Sequence, residues 1–132
     1  MAKEIIAVTD GTLSFGDSSL ETKTKQDGFE YKGDIYKVKT YKDITKLERN
    51  EMFLYESVPG TDVSDFTFDA DGVSFTVVGS GEVQITLGLG DDAEYDIIVD
   101  GEKEDRTETS MGGKIAFTIE LDGEPAKVAV RR

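Results

Sequence analysis

Apolar and polar residues alternate in short runs from one end of this chain to the other, and alternation with period two marks half-buried β-strands. Phe66 and Phe68 alternate with polar neighbours, Asp69-Ala70-Asp71-Gly72 reads as a tight turn, and Val73, Phe75 and Val77 continue beyond it. This predicts a hairpin over 63–78. Val83, Ile85, Leu87 and Leu89 form another alternating set, with Glu82, Gln84 and Thr86 on the outer face. Gly90-Asp91-Asp92 turns the chain into Tyr95, Ile97 and Val99, and Asp100-Gly101 is a further hairpin signal. Gly112-Gly113 opens a strand with Ile115, Phe117, Ile119 and Leu121 on one face. Asp122-Gly123-Glu124-Pro125 then turns into a last strand carrying Val128 and Val130. Strands at this spacing predict an all-β fold, with an antiparallel, immunoglobulin-like sandwich of roughly seven strands over 59–132.

The part before it, 1–58, reads as a smaller β-rich unit packed on that sandwich. Leu20, Thr22 and Thr24 alternate with Glu21, Lys23 and Lys25, and Tyr36, Val38 and Thr40 alternate with Lys37, Lys39 and Tyr41. Met52 to Tyr55 is a further short strand. Asp43 to Asn50 is the one ambiguous stretch. Ile44 and Leu47 have helical spacing and Asp43 is able to cap a turn, so at most one short helix is expected there. Ser57 to Thr61, with Pro59-Gly60, marks the boundary between the two parts.

Composition narrows the chemistry. The chain has no His, no Cys and no Trp, which removes most of the side chains that carry acid–base, thiol or metal chemistry near neutral pH. A Ser-His-Asp arrangement is impossible without histidine. Asp69, Asp71 and Gly72 echo the start of a calcium loop, but Val77 stands where the bidentate Glu belongs, so a β-turn is the better reading. Glu102, Glu104, Asp105 and Glu108 read as a solvated acidic edge. Gly79-Ser80-Gly81 and Gly112-Gly113 precede no Lys-Ser/Thr helix, so no phosphate cradle is expected. No catalytic residue, cofactor or metal ligand is therefore assigned.

The net charge of −13 is unevenly placed. From Leu20 to Tyr55 there are eight basic and seven acidic residues, whereas from Glu56 to Arg132 there are six basic and eighteen acidic. Such a surface disfavours nucleic acid and anionic membranes as partners. It favours a contact between the cationic N-terminal strands and an acidic protein surface, including that of a second copy. Lys37, Lys39 and Tyr41, on the face opposite Tyr36 and Val38, are the candidate interaction face. Exposed tyrosines there also suit sugar stacking, so a glycan is the alternative partner. The run Ile5-Ile6-Ala7-Val8 is too short for a signal-peptide core or a membrane span, so no membrane insertion is expected and the location is cytoplasmic by default.

Two resemblances add to this reading. Residues 57–101 and 113–130 resemble the β-sandwich accessory domains of polysaccharide-degrading enzymes, on Val73-Ser74-Phe75-Thr76-Val77, Tyr95-Asp96-Ile97-Ile98-Val99-Asp100-Gly101 and Gly113-Lys114-Ile115-Ala116-Phe117. The whole chain is similar to a family of small all-β proteins of gut Firmicutes that often carry the label endosialidase. The residues are Ser14-Phe15-Gly16-Asp17, Gly33-Asp34-Ile35-Tyr36-Lys37-Val38-Lys39-Thr40, Ile44-Thr45-Lys46-Leu47-Glu48, Tyr55-Glu56-Ser57-Val58-Pro59-Gly60-Thr61 and Gln84-Ile85-Thr86-Leu87-Gly88-Leu89. The label implies a hydrolase of sialylated polymers, with an arginine cluster and a tyrosine nucleophile on a Trp-rich propeller. The only arginines here are Arg49, Arg106, Arg131 and Arg132, so no site residue carries over.

Overall fold

Turn chemistry sets the first level of structure. In the computed structural model, which describes residues 5–89, 93–109 and 112–132, four two-residue turns have positive φ at both central positions. They are Asp10-Gly11 (52° and 81°), Lys32-Gly33 (49° and 83°), Asn50-Glu51 (51° and 67°) and Asp100-Gly101 (50° and 84°). That is the type I′ geometry, whose twist matches the right-handed twist of paired strands. These turns join β1 (Ile6–Thr9) to β2 (Thr12–Phe15), β3 (Thr24–Tyr31) to β4 (Asp34–Tyr41), β5 (Ile44–Arg49) to β6 (Met52–Val58), and β10 (Glu94–Val99) to β11 (Glu102–Glu108). The remaining strands are β7 (Asp62–Asp69), β8 (Gly72–Val78), β9 (Ser80–Gly88), β12 (Lys114–Asp122) and β13 (Ala126–Arg131).

Among the described residues thirteen strands form two antiparallel sheets packed as a sandwich. One sheet has the order β1-β2-β7-β8-β13-β10-β11 and the other β12-β9-β6-β5-β4-β3. Period-two alternation places one face of each against the other. Val38, Leu47, Tyr55, Val83, Ile85, Leu87 and Ile115 from the six-stranded sheet meet Leu13, Phe15, Phe66, Val73, Phe75, Val77 and Val130 from the seven-stranded one, all buried. Tyr55 sits at the centre, with its ring 5.2 Å from Phe15 and 5.5 Å from Phe75 in edge-to-face contacts.

Among the described residues, 59–132 contributes seven strands, β7 to β13, in line with the roughly seven expected from strand spacing and turn signals. Residues 1–58 and 59–132 nevertheless do not form separate bodies. β1 and β2 extend the sheet of β7 and β8, and β6 pairs with β9. The sandwich is shared, and at thirteen strands it exceeds the seven to nine of an immunoglobulin domain. Two local expectations are corrected. Residues 44–49 are strand β5, not a helical turn, because Thr45 and Leu47 point into the core and override the weak helical spacing of Ile44 and Leu47. Leu20 to Lys23 precede β3 and lie outside it. The expected turn at Gly90-Asp91-Asp92 lies outside the described residues.

The crossing between sheets at 59–61 is held by buried hydroxyls. Thr45 Oγ1 donates to the Thr61 carbonyl (2.8 Å) and accepts the Thr61 N–H (3.0 Å). Thr40 Oγ1 bonds Thr45 Oγ1 (2.8 Å) and accepts the Asp17 N–H (3.0 Å). Tyr55 Oη and Ser57 Oγ each lie 2.8 Å from Thr61 Oγ1. Gly60 packs so closely on the β4–β5 turn that a Cβ there would stand 2.1 Å from the Tyr41 carbonyl oxygen.

Candidate functional site

The lysine face follows from strand register. On β4, Tyr36, Val38 and Thr40 are buried, so Lys37, Lys39 and Tyr41 project from the outer surface of the six-stranded sheet, as the alternation predicts. The pairing adds lysines from both neighbours. Lys25 on β3 stands directly opposite Lys39, and Lys39 directly opposite Lys46 on β5. Lys46 faces Glu56 on β6, and Lys37 faces Glu48. Lys23 lies 5.8 Å from the Tyr41 ring centroid, and Lys46 lies 5.9 Å from that of Phe53.

Three lysines in one cross-strand row are electrostatically unfavourable, since like charges directly opposed destabilise a sheet. Burial, followed by the nearby charges of Lys23, Lys25, Lys46 and Lys37, lowers the pKa of the Lys39 ammonium. Burial, then Asp43, raises the Tyr41 phenol. Lys46 reaches Glu48 only at 4.0 Å, and the space bounded by Lys37, Lys39, Lys46 and Glu48 holds about 80 Å³. The site therefore presents Lys23, Lys25, Lys37, Lys39 and Lys46 together, with Tyr41 at its margin. Of these, Lys46 was hidden by the ambiguity of 43–50, although Thr45-Lys46-Leu47-Glu48 carries period two.

At the opposite flank the surface is acidic. Glu102, Glu104 and Glu108 are exposed on β11, an edge strand. Among the described residues no group of three or more carboxylates is arranged to hold a metal ion. Asp69-Ala70-Asp71-Gly72 is the β7–β8 turn: the Asp71 N–H donates to Asp69 Oδ1 (2.8 Å), and this bond, then Arg131, holds the Asp69 carboxyl below its usual pKa. A cleft of about 560 Å³ opens between β10–β11 and β12, lined by Ile97, Val99, Glu104, Phe117, Ile119 and Glu120 among others. A smaller one, about 190 Å³, lies between Tyr31, Tyr36, Phe66 and Phe68, with Lys32 and Asp34 at its rim. The arginines are dispersed: Arg49 binds Asp34 (2.8 Å), Arg106 bridges Glu94 and Asp96, and Arg131 binds Asp69.

Fold and surface together define a two-sheet antiparallel β-sandwich with a lysine-rich outer face at one end and an acidic, half-open flank at the other. No protein-family model, curated protein or solved structure matches the chain.

Proposed function

We propose that this protein is a non-catalytic protein-interaction module that docks an acidic protein surface on its lysine face. The observation that supports this is the in-register row Lys25–Lys39–Lys46 in a chain of net charge −13. The row costs stability in the isolated protein, and a carboxylate-rich partner offsets that cost. A second copy is one such partner, because the chain from Glu56 onward is strongly acidic.

Light scattering after size exclusion tests this at low and high salt. A dimer or larger assembly at low salt, lost at high salt and in Lys39→Glu/Lys46→Glu, supports self-docking. A 14.5 kDa monomer in both removes the second copy as partner. Titration with poly-L-glutamate then decides the rest, and binding indifferent to Lys39→Glu/Lys46→Glu ends the proposal.

Glycan binding is the second reading, and it rests on a different observation. The 190 Å³ cleft puts the half-buried rings of Tyr31 and Phe68 beside the Asp34 carboxylate, a combination suited to one sugar ring. Flat results across plant, host and bacterial polysaccharides, for the protein and for Tyr31→Ala alike, would remove it. The hydrolase implied by the endosialidase label has no comparable arrangement behind it, since Arg49, Arg106 and Arg131 lie on three different strands with their own carboxylates.

A further inference from the structure

Sheet edges are templates for further pairing unless something blunts them. Four strands end the two sheets here: β1, β11, β12 and β3. β1 is only four residues long. β3 is interrupted by an irregularity between Gln26 and Phe29, with Gly28 inside it. β11 carries a charge at six of its seven positions and pairs through a bulge at Ile97/Ile98. β12 is the least blunted of the four, with charges only at Lys114, Glu120 and Asp122. It is nine residues long, pairs with β9 in unbroken register from Lys114 to Asp122, and is uncharged from Ile115 to Thr118 and on to Ile119.

The direction of the β12 backbone groups follows from its ends. The Gly113 carbonyl accepts the Leu89 N–H (2.8 Å) and the Gly123 N–H donates to the Gly79 carbonyl (2.9 Å), so odd-numbered residues face β9. Backbone groups alternate sides along an antiparallel strand, which turns the N–H and C=O of Ala116, Thr118 and Glu120 away from the sheet. Those three residues line the 560 Å³ cleft. Among the described residues β12 pairs only with β9.

The far wall of the cleft is the other sheet. That sheet has one strand more, and Ile97 and Val99 of β10 form an apolar wall facing Phe117 and Ile119 of β12. Glu104 and Glu120 add negative charge. We propose that this cleft accepts an extended segment of another polypeptide, with apolar and basic residues alternating, as a seventh strand of the six-stranded sheet. Its backbone pairs with Ala116, Thr118 and Glu120. Its apolar side chains fill the space between Phe117/Ile119 and Ile97/Val99, and its basic side chains, on the outer face, lie beside Glu120, with Glu104 adding to the negative field of the cleft. Main-chain pairing supplies affinity and the alternate pockets supply selection, as in other strand-addition complexes. This site is separate from the lysine face and stands or falls independently of it.

The test is calorimetric titration of the full chain with three peptides as long as β12: alternating valine–lysine, valine–glutamate and serine–lysine. The valine–lysine peptide is expected to bind with a Kd of about 10 μM, a modest affinity for a short strand. It should slow hydrogen exchange at the Ala116, Thr118 and Glu120 amides. Thr118→Pro removes only an outward-facing N–H, which an edge strand tolerates, and should weaken binding by at least about tenfold. Glu104→Lys/Glu120→Lys provides a second variant that leaves the backbone untouched, with a loss of about tenfold expected from charge reversal. Lys39→Glu/Lys46→Glu should bind the peptide as the parent does. Equal binding of the serine–lysine peptide would reduce the effect to charge attraction and overturn the proposal. So would an absence of binding, or unchanged affinity in either cleft variant with its fold intact by circular dichroism. A concentration-dependent dimer that Thr118→Pro abolishes would make a second copy the occupant instead and would equally overturn it.

Discussion

Thr45→Val isolates the buried hydroxyl network with little change in side-chain shape. Thr40, Thr45 and Thr61 are each fully buried, and the single Thr45 hydroxyl serves three groups. These are the Thr61 carbonyl at 2.8 Å, the Thr61 N–H at 3.0 Å and the Thr40 hydroxyl at 2.8 Å. Valine fills the same volume, so no cavity forms, and the whole effect is lost polar pairing. An orphaned buried donor or acceptor costs about 1–3 kcal/mol. The two Thr61 backbone groups cannot turn elsewhere, whereas the Thr40 hydroxyl can rotate, so the expected loss is about 2–4 kcal/mol. For a domain of this size that lowers Tm by roughly 10 °C. Thr67→Val is the control, because its hydroxyl bonds Ser74 (2.9 Å) on the exposed surface and its loss should cost less than ~0.5 kcal/mol. Urea unfolding of both variants measures the difference at constant m. Equal stabilities for Thr45→Val and Thr67→Val would refute the view that hydroxyls hold the sheet crossing.

Three further outcomes follow from the same geometry. Burial raises the Tyr55 phenol to about 12, against 10.0 for an unperturbed tyrosine. Between pH 10 and 12 the unfolded chain releases a proton that the folded one keeps, so stability falls by up to about 3 kcal/mol as pH rises through that window. Tyr55→Phe should flatten this slope, and parallel slopes for parent and variant would contradict it. Lys39→Thr breaks the cross-strand lysine row and should gain about 0.5 kcal/mol at low salt, a gain that shrinks as salt is added. Thermal melts at two salt concentrations check it, and a salt-independent change would show that like-charge repulsion is not the cause. Gly60→Ala forces a Cβ to within 2.1 Å of the Tyr41 carbonyl and should cost about 2 kcal/mol or more, and a neutral result by urea unfolding would show that the turn yields freely.

Most strands in 62–131 were readable because each face is committed, as with Val83, Ile85 and Leu87 inward and Glu82, Gln84 and Thr86 outward, whereas β11, without an apolar residue, was signalled only by the Asp100-Gly101 turn. The β1–β2 hairpin was missed although Asp10-Gly11 is among the strongest hairpin signals, because the flanking runs are only four residues each. Strand β5 was obscured by the chance helical spacing of Ile44 and Leu47, which only the neighbouring strands resolve. The same holds for the lysine face. Alternation placed Lys37, Lys39 and Tyr41 together, since that is a property of one strand. The addition of Lys25 and Lys46 depends on cross-strand register, which no local pattern contains. The free edge of β12 was out of reach for a related reason. Which strand ends a sheet is decided by every other pairing.

Shared sheets also decide whether the two halves of the chain fold alone. Cutting at residue 58 would leave β9 and β12 as a two-stranded ribbon whose inner face, Val83, Ile85, Leu87, Ile115 and Ile119, has lost the sheet that continues it. Two strands are also too few to cover the apolar inner face of the five strands, β7-β8-β13-β10-β11, that remain opposite them. The other fragment fares no better. β1 and β2 pair there with each other alone, because the β2 partners Phe66 and Val63 lie beyond the cut, and the β3–β6 sheet loses its apolar cover. Tyr55 at the centre of the core would keep Phe15 but lose Phe66 and Phe75. Neither fragment should therefore give dispersed amide resonances by itself, while an equimolar mixture should recover the spectrum of the whole chain, and the intact protein should unfold in one transition followed by tyrosine fluorescence and by circular dichroism alike. A folded 59–132 fragment would show that the β6–β9 pairing, Tyr55 opposite Leu87 through Val58 opposite Gln84, is an attachment between domains and not the seam of a single core.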